Sequence, residues 1–140
     1  MDRLTQILDA RGNWTGYYLR VDTSDHYVKA RFGTAGTLVE AADVLRDPRQ
    51  EATLEALGWL PPSEPDSRPY RSNYHRVWDL DAPTAEIVTF VSRTLAAVYL
   101  SHEGETVELW WGTLLPRFLL ARDDNGRIIH PPVRVPVARG

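Results

Sequence analysis

The chain contains no cysteine. It therefore has no disulfide framework and no thiolate-ligated zinc site, which fits a reducing compartment and an expected cytoplasmic location. No apolar run approaches the ~18 residues that a membrane-crossing helix needs. The opening residues, MDRLTQILDARG, lack the apolar stretch of a secretion signal. Neither sign of charge is in large excess: 16 Lys and Arg against 19 Asp and Glu give −3. Nothing draws the molecule as a whole toward nucleic acid or anionic lipid, so neither a nucleic-acid nor a membrane partner is expected.

Catalytic signatures are also missing. The four histidines, His26, His75, His102 and His130, show no i, i+4 pairing on one helix and no adjacent Glu in metalloprotease order. No serine lies in Gly-x-Ser-x-Gly. Gly33 and Gly36 flank a Gly-x-x-Gly loop without the further glycines of a dinucleotide loop or the Gly-Lys-Ser/Thr of a P-loop. Asp123-Asp124 precede Asn125-Gly126, where turn formation accounts for them, and a calcium loop needs more oxygen ligands and a distal Glu. The expectation is no catalytic site, no metal and no cofactor, with an enzyme built from scattered residues as the residual class.

What is present is an ordinary globular composition. Of 140 residues, 43% are hydrophobic and 25% charged, enough for one domain that buries roughly two thirds of its unfolded surface. In Asp2 to Ala10, Leu4, Ile7 and Leu8 make a helical stripe that Gly12 and Asn13 end. Trp14 to Asp22 and His26 to Phe32 alternate as two strands of an antiparallel hairpin around Thr23-Ser24-Asp25. Tyr17, Leu19, Val21, Val28, Ala30 and Phe32 point to the predicted core. Tyr18, Arg20, Tyr27, Lys29 and Arg31 point away, either as a solvated sheet face or as a basic and aromatic surface for a partner.

Leu38 to Leu45 is expected to be helical, with Thr37 as its N-cap. Asp47, Pro48 and Gln50 then start a further helix that ends at Leu57 and Gly58. Pro61 and Pro62 forbid its continuation, and 63–69 reads as an exposed loop. Ser72 to Leu80 is a strand with Tyr74, Arg76 and Trp78 on one face and Asn73, His75 and Val77 on the other; the pattern does not say which is buried. Ala82 to Tyr99 is the longest helix, capped by Asp81 with Pro83 in its first turn. Ile87, Val88, Val91, Leu95 and Val98 are its buried stripe, from which Glu86, Thr89 and Arg93 fall away. Thr106 to Trp111 is a final core strand. Phe118 to Arg122 and Arg127 to His130 flank a hairpin turn, and the prolines after His130 favour an extended arm.

Five tryptophans are many for this length. Trp59 and Trp78 fit core packing beneath the proline loop. Trp110 and Trp111 are strand neighbours and must point to opposite faces, so one of them is expected at a surface groove, where tryptophan anchors partners.

Leu57-Gly58-Trp59-Leu60-Pro61-Pro62, then a proline loop, then Asn73-Tyr74-His75-Arg76-Val77-Trp78, resembles the actinobacterial TY-Chap domains. So does the later Ser92-Arg93-Thr94-Leu95. That family is grouped with type III secretion chaperones and YbjN-like proteins, and peptide-chaperone activity is ascribed to it. Asp79 departs from the family's pattern, which has proline there. The resemblance spans about Tyr17 to Trp111 within a single 140-residue domain, with a core of about 14–111 and a hairpin and arm over 112–140. It implies an α+β fold, a single antiparallel sheet with helices on one face, secretion-chaperone-like. It also implies ATP-independent binding of a polypeptide client, by a monomer or a homodimer, at a sheet edge or an aromatic groove. The candidate contact residues are Trp110, Trp111, Tyr18 and Tyr27, from their strand faces, and Arg76 and Arg93, from the family pattern. Leu57, Gly58, Trp59, Pro61, Pro62, Asn73 and Trp78 are expected to be structural. An immunity or adaptor module with one dedicated partner is the alternative.

Overall fold

The computed structural model describes residues 1–21, 26–42, 47–99, 106–112 and 133–136. Among these residues, six strands form one antiparallel sheet: β1 (Gly16–Val21), β2 (Tyr27–Gly33), β3 (Gly36–Ala42), β4 (Tyr74–Trp78), β5 (Thr106–Gly112) and β6 (Val133–Pro136). Their order is β4-β3-β2-β1-β5-β6. Three α-helices among the described residues, α1 (Asp2–Asp9), α2 (Pro48–Leu57) and α3 (Thr84–Thr94), complete an α+β fold with helices on one face of the sheet. α3 touches both α1 and α2 and takes the chain from edge strand β4 across to β5.

The alternation of β1 and β2 sets the core. Tyr17 stands opposite Ala30 and Trp111, and Leu19 opposite Val28 and Leu109. All six side chains are buried, together with Leu4, Ile7 and Leu8 of α1 and Ile87 and Val91 of α3. At roughly 1.5–3 kcal/mol per buried large apolar side chain, this shared layer is what holds helices and sheet together.

α2 has the capping box its sequence announces: Asp47 accepts from the Gln50 backbone N–H at 2.8 Å, and the Gln50 side chain accepts in return from the Asp47 N–H. Gly58 ends it in the left-handed region at φ 107°. α3 starts differently from expectation. Its N-cap residue is Pro83, and Asp81 makes no cap. Contacts from the N-terminal segment hold this turn: Arg11, just after α1, donates to the carbonyls of Leu80 at 2.6 Å and Ala82 at 3.3 Å, and Thr84 donates to Asp9 of α1 at 2.7 Å. The entry into α3 is thus fixed from another element. Its last turn passes into a π-helical segment, Leu95–Tyr99.

One expected element is wrong in kind. Thr37 caps no helix; it lies within β3, which pairs with β2 and with β4. Thr37, Val39 and Ala41 are buried while Leu38 and Glu40 are only partly so, a period of two that the short apolar run concealed. The Gly33–Gly36 stretch is therefore a tight hairpin turn. Gly36, at φ 145°, is obligatory there, because a β-carbon would stand 2.0 Å from the Trp78 carbonyl oxygen. The Thr23-Ser24-Asp25 turn and the hairpin expected around 123–126 lie outside the described residues. Part of the expected arm, Val133–Pro136, is a sheet strand beside β5. Among the described residues, no helix is long and apolar enough to cross a membrane.

Candidate binding site

β4 and α3 meet over an aromatic cluster. Alternation along β4 sends Tyr74, Arg76 and Trp78 toward the helices, which settles the face that the sequence left open. Phe90 of α3 lies between two indoles, its ring centre 5.0 Å from Trp59 and 5.1 Å from Trp78, the second contact edge-on. Trp59 is buried, and its N–H donates to the Thr94 hydroxyl at 2.8 Å; that hydroxyl donates onward to the Phe90 carbonyl at 2.9 Å. The buried indole is thus satisfied within the fold.

Above this cluster an open groove of about 420 Å³ is lined by Leu57, Arg76, Trp78, Ala85, Glu86, Thr89, Phe90 and Arg93. Glu86, Thr89 and Arg93 are the residues that fall off the buried stripe of α3, and they form one wall. Arg76 is half-buried. Its guanidinium carbon is 5.1 Å from the Trp78 ring centre and 4.7 Å from that of Phe90. Among the described residues, no carboxylate stands within 4.0 Å of Arg76 or Arg93. Beyond Glu86 the surface continues past Asp79 and Asp81, so the basic end of the groove faces an acidic end.

The structure brings two of the sequence-derived contact candidates, Arg76 and Arg93, into one site with Leu57 and Trp78. It disperses the rest. Trp111 lies on the helix-covered face, buried, with the Arg3 guanidinium 5.0 Å from its ring centre. Trp110, Tyr18 and Tyr27 lie on the opposite face. There Tyr18 and Tyr27 stack at 4.7 Å, and Tyr18 pairs across the strands with both Lys29 and Trp110. That face is not uniformly wet as the alternation suggested. Lys29 is 4% exposed and its ammonium is 3.3 Å from Glu40, its cross-strand partner. Burial lowers the lysine's pKa, with Glu40 opposing that shift. The Tyr27 hydroxyl is pushed up to about 12, mainly by burial and then by Tyr18 and Glu40.

Of the remaining motif residues, Gly58 ends α2 and Pro61 and Pro62 are exposed. Leu60 bridges to His75 on the outer side of β4, exchanging backbone bonds of 2.9 and 3.1 Å. The Asn73 carbonyl lies 3.1 Å from the His75 ring. Sequence reasoning missed Phe90, Thr89, Glu86 and Ala85 as groove residues. Their helical spacing was visible, but nothing local indicated that this flank would face β4. Among the described residues, no group of three or more His, Asp or Glu side chains is placed to hold a metal ion. Compared with protein-family models, curated proteins and solved structures, the chain matches none.

Proposed function

We propose that this domain binds a polypeptide segment of a client or partner protein, without ATP or chemistry on the bound chain. The carrying observation is the groove between β4 and α3, with the half-buried Phe90 and Leu57 as its apolar floor and two arginines that no carboxylate in the described fold engages. Such a surface offers what peptide recognition uses: flat apolar area for a side chain and fixed donors for its polar neighbours. From Ala85 to Arg93 the wall rises ~12 Å at 1.5 Å per helical residue, about four residues of extended chain. The TY-Chap resemblance of the same strand and helix is consistent with this reading.

The test is capture from cell lysate by the immobilised domain, run beside a Thr89→Trp variant that fills the groove from an exposed position. A captured protein is then cut into overlapping synthetic peptides and each is titrated against the domain. A short peptide that binds the parent domain and not the variant supports the proposal. Capture unaffected by Thr89→Trp would place binding elsewhere and remove the groove from the reading. One stoichiometric partner in place of several clients would favour the dedicated adaptor.

A further inference from the structure

We infer that the groove takes an acidic extended segment, with carboxylates held by Arg76 and Arg93 and an intervening apolar or aromatic side chain against the half-buried Phe90 and Leu57. This rests on the reading of the groove as a peptide site and adds the chemistry of its occupant.

Three observations carry it. First, Arg76 is pre-set. Trp78 and Phe90 approach its guanidinium, and Gly58 leaves room for its Nη1, which a β-carbon there would meet at 2.8 Å. A planar guanidinium held this way presents a fork that matches a carboxylate, with little rotamer freedom left to lose on binding. Second, neither arginine is ion-paired among the described residues. Arg93 lines the same groove, and among the described residues neither arginine has a carboxylate within 4.0 Å. A half-buried cation with an open side attracts an anion more strongly than one in free solvent. Third, the groove is polar along its length. Glu86 lines it too, and Asp79 and Asp81 lie beyond. An acidic side chain is repelled at that end and drawn toward the arginines, which fixes the direction of an asymmetric segment.

The experiment is selection of a random peptide display library on the full-length domain, on Arg93→Glu and on Thr89→Trp, followed by titration of one enriched peptide and its Glu-to-Gln counterpart. Arg93 and Thr89 are exposed, and circular dichroism checks that both variants are folded. The expected enrichment is Asp or Glu next to Phe, Trp or Leu. The expected affinity loss is at least about tenfold on Glu-to-Gln in the peptide or on Arg93→Glu, with marked weakening as salt rises. Enrichment of neutral or basic peptides that still lose binding on Thr89→Trp would overturn the acidic occupant and leave the groove as a peptide site. No enrichment on the parent domain, or enrichment indifferent to both variants, would overturn the occupant and the groove reading together.

Discussion

Gly58 and Arg76 share one space: the absent β-carbon at Gly58 would lie 2.8 Å from the arginine's Nη1. Gly58 also sits at φ 107° as the C-cap of α2. Two demands, one conformational and one steric, thus fall on a residue that sequence alone marks only as a helix stop.

Gly58→Ala is accordingly expected to act at two levels. The left-handed backbone costs a residue with a side chain about 1–2 kcal/mol, read as a lower midpoint of chemical unfolding. In the folded fraction, the new methyl pushes the guanidinium off Phe90, so peptide affinity falls even where folding is complete. Loss of stability with unchanged affinity would show that the position of Arg76 does not matter to binding.

Arg11 ties α1 to the start of α3 through the carbonyls of Leu8, Leu80 and Ala82, with Thr84 at 3.4 Å. Charged hydrogen bonds contribute roughly 1.5–3 kcal/mol when well formed, and some of these are long or solvent-facing, so Arg11→Ala is expected to cost about 2 kcal/mol. The signature that separates this role from general destabilisation is local: amides of α1 should lose hydrogen-exchange protection before those of β1 and β2. Uniform loss across the domain would contradict the tether.

Periodicity revealed α1, the β1–β2 alternation, the α2 caps and the stripe of α3, because each is written in residues a few positions apart. β3 reads as helix in the sequence because Leu38 and Val39 fit either period over so short a run, and its pairing depends on a turn at Gly36 and on a strand some thirty-five residues later. The groove was half legible. Arg76 and Arg93 stood out, but their meeting depends on α3 lying across β4, which no local pattern encodes. Trp111 looked like an anchor because strand neighbours diverge; which of the two faces the helices would cover lay outside that argument.

Lys29 and Glu40 form an ion pair on the sheet face opposite the helices, with both side chains largely shielded. Removing Glu40 takes away the carboxylate that faces the largely buried Lys29 ammonium. Glu40→Ala is therefore expected to destabilise by about 3 kcal/mol, and Lys29→Met with Glu40→Leu by far less. A double-mutant cycle over Lys29→Met, Glu40→Leu and the two together, by denaturant unfolding, gives the coupling. A double variant as unstable as Glu40→Ala alone would show that packing, rather than the pair, sets the cost.

Tyr17 is expected to set the alkaline limit. It is fully buried, its hydroxyl has no hydrogen-bond partner among the described residues, and burial pushes its pKa far above the ordinary 10.0. Between pH 10 and that raised value the unfolded chain loses the phenolic proton while the folded protein keeps it. Stability is thus fully present below pH 10 and falls above it, by about 1.4 kcal/mol per pH unit for this one group. Tyr27, raised to about 12, adds a smaller loss of the same sign because it is partly exposed. Lys29 acts oppositely: with its folded pKa lowered beneath the ordinary 10.5, it favours folding as pH climbs toward that value and adds nothing further beyond it. Above about pH 10.5 the tyrosines therefore dominate. Tyr17→Phe removes an unsatisfied buried hydroxyl, so it is expected to be neutral or stabilising by up to about 1 kcal/mol at pH 7. It should also flatten the fall in unfolding midpoint between pH 10.5 and 12. A variant that loses stability at pH 7 and keeps the full alkaline slope would mean that the Tyr17 hydroxyl is engaged in the native protein and that another group sets the limit.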